Sequence, residues 1–173
     1  MGTSDSKRPL RSDTDPYWLD NTLARMDKLC QRRQVRLTAQ RRAVITLMLN
    51  AERAMSAYDL LDQLKTLEPN AKPPTIYRAL DFLINQGFVH KVESINRYVL
   101  CSHFNDTHHV SILFICFHCQ MIVERHSSVI EQELHTLANQ NNFLNKYSVL
   151  EIQGACQNCQ SSKRSIIDDT PNK

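Results

Sequence analysis

The sequence predicts an α+β protein in which a helical N-terminal unit ends in a β-hairpin and a smaller unit of strands and helix follows. Three observations predict this fold. Short amphipathic segments with capping residues occupy the first half of the 173-residue chain. Two β-rich runs come next, and two C-x-x-C pairs then enclose further strand and helix patterns.

Start signals predict the first two helices. Asp15 and Pro16 can cap and open a helix that runs to about Gln34, because proline is tolerated at the first helical position. Thr38 can cap a second helix over about residues 39–51.

A third and a fourth helix follow. Ser56 can cap the third, whose apolar stripe consists of Ala57, Leu60, Leu61, Leu64 and Leu67. Residues 73–74 are both proline and are expected to interrupt helical structure, because a residue before proline is disfavoured in the helical region. Thr75 is expected to cap a helix over residues 76–86, which Gly87 ends.

A hairpin is predicted by β-rich residues 88–92 and 97–101, which flank the turn at residues 93–96. If the turn is tight and centred on its last two residues, His90 and Cys101 lie opposite each other. Their Cβ atoms would then be about 4.5–5.5 Å apart, so that both side chains could bind one ion.

This order of elements is typical of a winged helix-turn-helix, whose last helix enters the major groove of DNA. Residues 1–100 contain 16 Lys/Arg and 11 Asp/Glu, a net charge of +5, whereas residues 101–173 contain five against seven, a net charge of −2. A basic first half suits a polyanionic partner.

The candidate DNA contacts are at the start of the last helix. Thr75, Tyr77 and Arg78 could reach base edges, and Tyr58 could bind a phosphate. Further phosphate contacts could come from Arg41, Arg42, Lys72, Lys91 and Arg97. The alternative is an ordinary amphipathic helix, since every such helix has an outward polar face.

Two C-x-x-C pairs, separated by 36 residues, indicate a structural zinc site: Cys116, Cys119, Cys156 and Cys159. Four thiolates fill a tetrahedral site and leave no position open for catalysis. The gap exceeds the usual 15–20 or so residues, which predicts an intervening unit. An apolar, strand-like stretch at residues 110–117 is followed by strand patterns at residues 121–126 and 146–154, which enclose a helical pattern at residues 127–141, so the unit is expected to be β-β-α-β.

Other chemistries are weighed against zinc. A single C-x-x-C pair can be a redox dithiol, but the second pair and the strand-like residues 121–123 count against it. A zinc deaminase would need His-x-Glu and Pro-Cys-x-x-Cys, and the chain has neither. Only three glycines argue against a glycine-rich phosphate loop. We therefore expect a protein that is not an enzyme.

Five further residues could form a second metal site that spans both units: His90, Cys101, His108 or His109, and Glu124. Each alone is more often an ordinary surface or packed side chain. The N-terminus has no apolar segment of the signal-peptide kind, and the apolar stretch 110–117 is far shorter than the roughly 20 residues of a membrane helix. We expect a cytoplasmic protein with no membrane contact, whose cysteines stay reduced.

Separated motifs closely resemble the ferric uptake regulator family of bacterial metal-dependent repressors. They are LTAQR at 37–41, SAYDLL at 56–61 and PPTIYRAL at 73–80. VHKVES at 89–94, together with YVLC at 98–101, is similar to the zinc uptake regulator branch. The resemblance covers about residues 20–160.

The resemblance implies a domain order and a function. The order is a winged-helix DNA-binding domain (16–102), a hinge (103–108) and an α/β dimerisation and metal-binding domain (109–160). Residues 1–15 and 161–173 are polar without apolar periodicity and are expected to be mobile tails. The resemblance implies a homodimeric, zinc-dependent repressor of zinc uptake genes that binds a palindromic operator in double-stranded DNA, with no small-molecule substrate other than zinc.

The resemblance also assigns residues, with two zinc ions per chain. The structural zinc falls on the four cysteines of the C-x-x-C pairs, and the regulatory zinc on His90, Cys101, His109 and Glu124. The DNA-contacting tyrosine and arginine look like Tyr58 and Arg78. The chain departs from the pattern at Gln120, where a glycine often follows the first knuckle.

His108 stands beside His109 and leaves a one-residue ambiguity in the regulatory ligand set. Cys30 is assigned to the packing or the surface of the first helix, with no metal role.

The donor set offers an independent argument for zinc. Two imidazoles, a thiolate and a carboxylate suit tetrahedral zinc, whereas ferrous iron more readily accepts imidazoles and carboxylates without thiolate. Cys101 therefore argues against a family member that senses iron. The remaining alternative is a zinc-stabilised dimeric module that holds DNA or a protein partner without sensing metal.

Overall fold

The computed structural model describes residues 16–51, 53–106, 109–144 and 148–161. Four helices and a hairpin come first: α1 (Pro16–Arg32), α2 (Ala39–Asn50), α3 (Ala57–Leu67), α4 (Pro73–Asn85), β1 (Val89–Val92), a 3₁₀ turn (Glu93–Ile95) and β2 (Arg97–Leu100). The rest comprises β3 (Val110–Cys116), β4 (Ile122–Arg125), α5 (Ser128–Gln140), β5 (Ser148–Gly154) and α6 (Gln157–Ser161). Within these ranges no helix is both long and apolar enough to cross a membrane.

Side-chain caps begin α2 and α3, as predicted. The Thr38 side chain accepts a hydrogen bond from the Arg41 backbone N–H at 3.4 Å. Ser56 and Asp59 form a reciprocal capping box, with N···O distances of 3.1 and 2.9 Å. The predicted cap of α1, Asp15, lies outside the described residues.

Helix α4 begins earlier than the sequence prediction. Lys72 is its extended N-cap, and Thr75 lies inside the first turn, so the prediction of Thr75 as N-cap is wrong. Two prolines fit the first positions because their missing N–H groups have no partner in the helix there. The end is as predicted: Gly87 has a φ of +69°, and the N–H groups of Gly87 and Phe88 donate to Ile84 and Leu83.

The four helices bury a common apolar core. The largest side chains with almost no exposure in α1–α4 include Met26, Ile45, Leu60, Leu64, Ile76, Leu80 and Leu83. The predicted stripe of α3 ends at Leu64, because Leu67, the final residue of the helix, is 63% exposed. Backbone hydrogen bonds from Met55 to Tyr98 attach the α2–α3 connection to the hairpin.

The hairpin forms with a register that differs from the prediction. His90 pairs with Val99, and the Cys101 N–H donates to the Phe88 carbonyl, so His90 and Cys101 are not directly opposite. The 3₁₀ turn, which ends at left-handed Asn96, moves the centre of the hairpin back by one residue. This changes the pairing by two residues, which leaves both side chains on the same face as diagonal neighbours.

A three-stranded sheet with the order β4-β3-β5 forms the second unit. Strand β4 pairs antiparallel with β3, and β5 pairs parallel with β3 after the connection through α5. The predicted β-β-α-β order is thus confirmed by the strands and helix observed. No residue of α5 is buried within the chain, and its Val129 is 73% exposed.

A second apolar cluster joins the hairpin to this sheet. Val92 and Val99 of the hairpin pack with Leu113, Ile115 and Ile122 of the sheet, and Ala54 completes the cluster. At the edge of the same contact, Glu151 accepts hydrogen bonds from the N–H groups of Glu93 and Ser94 at 2.6 and 3.1 Å. The hairpin is therefore held against the sheet by apolar packing and by a carboxylate.

Gly87→Ala should lower the free energy of unfolding by about 1–2 kcal/mol, because a Cβ is unfavourable in the left-handed conformation. Nothing lies within 4 Å of the added Cβ, so the effect isolates the backbone. Gly154→Ala is the matched control, since its surroundings are equally open and its φ is not positive. Urea unfolding at constant metal content should show Gly154→Ala within about 1 kcal/mol of the parent or more stable. An equal loss in both variants would contradict the account.

Candidate functional site

Four cysteine side chains converge at one end of the three-stranded sheet: Cys116, Cys119, Cys156 and Cys159. All four Sγ atoms lie within 4.8 Å of one another, and those of Cys119 and Cys156 are 3.7 Å apart. Sulfur atoms at about 2.3 Å from a tetrahedral zinc are about 3.8 Å apart. The spacing therefore fits a four-thiolate zinc site.

The sheet brings the two C-x-x-C pairs together. Cys116 ends β3 and is aligned with Gly154, which ends the parallel strand β5. The Phe117 N–H donates to the Gly154 carbonyl at 3.0 Å. Gln120 adopts a φ of +58°, a conformation that favours glycine. The departure noted in the sequence thus lies in a left-handed turn, which forms with glutamine in place.

The thiols of this cluster differ in acidity. Burial alone would raise the pKa of Cys116, but backbone N–H groups of Cys119, Cys156 and His118 lower it to about 6. The hydrogen bond with Cys156 and desolvation raise the pKa of Cys159 to about 12. All four thiols are free of disulfides. A bound cation would allow the four sulfurs to be ionised together.

A second cluster lies between the hairpin and the sheet: His90, Cys101, His109 and Glu124. One ligand atom from each lies within 4.8 Å of the others. Cys101 Sγ is 3.2 Å from His109 Nε2, and His90 Nε2 is 3.2 Å from Glu124 Oε1. The neighbouring His108 lies outside the described residues. Two imidazole nitrogens, a sulfur and a carboxylate oxygen form a donor set that suits zinc.

Hydrogen bonds hold each of these side chains in place. The Ser111 hydroxyl donates to Glu124 Oε1 at 2.8 Å and lies 2.9 Å from His90 Nε2. Ser102 donates to Glu124 Oε2 through its N–H at 2.8 Å and its hydroxyl at 2.5 Å. The Asp106 carbonyl is 2.5 Å from His109 Nδ1, which leaves Nε2 toward Cys101. Such outer contacts fix the orientation of metal ligands.

The sequence interpretation did not identify Ser111 or Ser102. A signal for Ser111 exists, since it is one polar residue in the otherwise apolar stretch 110–117 and is almost fully buried. Buried hydroxyls need hydrogen-bond partners, so a serine at this position predicts a polar group nearby.

Burial and neighbouring groups shift the pKa values of two side chains in the second cluster, Glu124 and Cys101. Desolvation alone would raise the pKa of Glu124, but His90 and Ser102 lower it to about 2, so the carboxylate is charged. Burial and the nearby Glu124 charge raise the pKa of the Cys101 thiol well above its ordinary value. A metal ion that binds there must displace the thiol proton.

The proposed DNA contacts lie on the exposed surfaces of α3 and α4. Tyr58 is 72% exposed and Tyr77 44%; Arg78 is also exposed, and Thr75 is half-buried. The structure thus places all four at or near the surface, Tyr58 in the first turn of α3 and the other three in the first two turns of α4.

Several of the other basic residues already have partners within the chain. Arg42 pairs with Asp27, Lys91 with Glu93 at 2.6 Å, and Arg97 with the Ala54 carbonyl at 2.9 Å. Arg41 lies over the Phe82 ring at 3.5 Å. Their availability for phosphates is therefore lower than the sequence suggested.

Comparison with known proteins gives consistent matches. The model of the ferric uptake regulator family matches residues 32–153. The zinc uptake regulation protein of Escherichia coli (strain K12) is 51% identical over 137 residues, which are 79% of this chain and 80% of that protein.

Solved structures agree. A zinc uptake regulator complexed with zinc and DNA is 46% identical, with a TM-score of 0.78, over 89% of this chain and 100% of that one. The crystal structure of holo XcZur is 35% identical, with a TM-score of 0.72, over 82% and 99%.

Metal affinity at the second cluster should rise about tenfold per pH unit between about pH 7 and 8.5, because binding releases one thiol proton from Cys101. The raised pKa keeps that thiol protonated throughout this range. Competition with a chelator of known zinc affinity measures the slope. Cys101→Ser should bind more weakly and with a flatter pH profile; an unchanged slope in this variant would exclude Cys101 as the source of the proton.

Proposed function

The chain belongs to the ferric uptake regulator family, and on that basis we propose that it is a zinc-sensing, dimeric transcriptional repressor of zinc uptake genes. It binds a palindromic operator when its regulatory site is filled. The observation that carries the proposal is the convergence of His90, Cys101, His109 and Glu124 between the hairpin and the sheet. The relatives named as zinc uptake regulators support it.

Two zinc ions per chain have separate tasks in this proposal. The four cysteines hold one ion at the end of the sheet, with ligands from the end of β3, the turn after it, the segment after β5 and α6. The second site takes ligands from β1, from the ends of the β2–β3 connection and from β4. The first ion therefore stabilises one unit, whereas the second depends on the relative position of two.

That dependence explains how metal could control DNA binding. His90 and Cys101 belong to the hairpin that follows α4, and Glu124 belongs to the sheet. When these side chains bind one zinc, they select a single angle between residues 16–102 and residues 109–160. Moving an equilibrium from 1:99 to 99:1 needs roughly 5.5 kcal/mol of differential binding. Structural zinc sites show free energies of roughly 10–16 kcal/mol, which is sufficient.

Dimerisation is supported by apolar surface in the second unit. Phe114 and Ile152 are aligned neighbours on adjacent strands and are 44% and 43% exposed. The helix α5 adds the exposed side chains of Val129 and Leu137. Exposed apolar surface of this kind marks interaction sites. We assign it to a second copy, whose symmetry matches a palindromic operator.

The DNA-facing surface is the start of α4, with Arg78 and Tyr77 at base edges, Thr75 nearby and Tyr58 at a phosphate. Within this proposal the protein is cytoplasmic and has no catalytic role. The same fold could serve two other functions. One is an iron sensor, which the thiolate of Cys101 disfavours. The other is a dimeric DNA-binding or scaffold module that holds zinc without sensing it.

Cys101→Ser should abolish zinc-dependent operator binding in a protein that remains a folded dimer, as measured by anisotropy at buffered free zinc. Cys30→Ser is the matched control, because both thiols are 2% exposed and only Cys101 belongs to a metal cluster of the described residues. Cys116→Ser should instead unfold the second unit or dissociate the dimer.

A further variant separates sensing from DNA contact. Arg78→Ala should lose operator binding while it retains two zinc ions per chain. Operator binding by Cys101→Ser with unchanged zinc dependence would contradict the sensor, and DNA binding at all zinc concentrations would favour the non-sensing module.

A further inference from the structure

A row of imidazoles extends from the second cluster to the surface. The ring centroids of His109 and His103 are 5.8 Å apart, and those of His103 and His126 are 5.9 Å apart. His126 Nε2 then lies 3.7 Å from Glu131 Oε2. The proposed function uses His109 and leaves the other three side chains without a role.

The spacing in this row matches that of a pair already placed in a metal cluster. His90 and His109, whose ligand atoms lie within 4.8 Å, have ring centroids 6.1 Å apart. Two imidazoles on one tetrahedral zinc have centroids roughly 5 Å apart, given Zn–N distances of about 2.0–2.1 Å. Side-chain rotation in His103 and His126, both on the surface, can supply the remaining difference.

The members of the row differ in their hydrogen-bond partners and in their exposure to solvent. The Ser102 hydroxyl is 3.1 Å from His103 Nδ1, which leaves Nε2 of the ring for another partner. Glu131 lies in the first turn of α5, and its side chain is 21% exposed, against 36% for that of His126. The carboxylate is thus partly shielded, and the imidazoles face solvent.

We propose that His103, His126 and Glu131 form an outer binding site for a divalent transition-metal ion, with zinc as the physiological occupant. Two imidazoles and a carboxylate are borderline ligands that suit Zn²⁺ and leave at least one position for water. Ligands on an exposed surface bind the ion more weakly and exchange it faster than the four buried or half-buried groups of the inner cluster.

The position of His103 indicates a role for the outer site, which is to deliver zinc to the inner cluster. His103 is adjacent to both His126 and His109, and its N–H donates to the Cys101 sulfur at 3.3 Å. An ion held at the surface can therefore reach the inner cluster by exchange of one ligand at a time. This delivery role rests on the proposed function, whereas the outer site itself does not.

The binding test uses the full-length dimer with its two other sites already filled. Calorimetric titration with Zn²⁺, repeated with Co²⁺, should show one additional equivalent per chain. His126→Asn should weaken that uptake at least tenfold and Glu131→Gln several-fold. Glu133→Gln, an exposed residue on the same helix with the same change of charge, should bind like the parent. No additional equivalent in the parent, or equal uptake by His126→Asn, would overturn the outer site and leave only an ion pair at the start of α5.

A kinetic arm tests delivery. Stopped-flow loading of the inner cluster should be several-fold slower in His126→Asn, with unchanged equilibrium affinity of that cluster; equal rates would overturn delivery. Cys101→Ser distinguishes failure of the proposed function from failure of the outer site. The outer site can still be titrated in this variant, even though its inner cluster no longer senses zinc. Retention of the additional equivalent in Cys101→Ser is expected if the outer site is independent.

Discussion

The carboxylate of Glu124 is buried between the hairpin and the three-stranded sheet, and the junction of the two units depends on it. A buried charge is unfavourable unless it is paired and hydrogen-bonded. Glu124 meets that requirement through His90 of β1, Ser102 after β2 and Ser111 of β3. These contacts come from three segments, so the carboxylate is fully satisfied only when the hairpin lies against the sheet. The same geometry brings the Cys101 thiol and His109 beside it.

The two candidate metal clusters differ in what they connect. The four cysteines lie at and just beyond the aligned ends of two strands of one sheet, in β3, the turn after it, the segment after β5 and α6, where hydrogen bonds already fix the backbone. The second cluster joins a hairpin and a sheet whose other contacts are a small apolar cluster and the carboxylate of Glu151. An ion at the four-cysteine cluster stabilises an arrangement that the hydrogen bonds of the sheet already fix. An ion at the second cluster can change the relative populations of different arrangements of the hairpin and the sheet, which is the property that a sensor needs.

Sequence patterns predicted those features that depend on local chemistry. The caps at Thr38 and Ser56, the left-handed end of α4 at Gly87 and the paired C-x-x-C motifs each follow from a few neighbouring residues. The start of α4 was misplaced because two prolines can break a helix or begin one, and only the preceding chain direction decides which. The hairpin register was missed because it depends on a 3₁₀ turn, which two β-rich runs do not specify.

Other features depend on parts of the chain that are distant in sequence. The roles of Ser102 and Ser111 arise only because β4 brings Glu124 to them. The helical pattern of residues 127–141 predicted α5, but an amphipathic period does not show whether the apolar face meets this chain or a second copy.

The most direct test of the account is the distance between two spin labels at the exposed residue Leu67, one in each protomer, measured by pulsed electron resonance. The structural site remains filled throughout, and only the second site is loaded or emptied. We predict a broad distribution of label-to-label distances that narrows to one distance on zinc loading in the parent. In Cys101→Ser the distribution should stay broad. A distribution that zinc leaves unchanged would contradict the claim that the second site sets the angle between the two units.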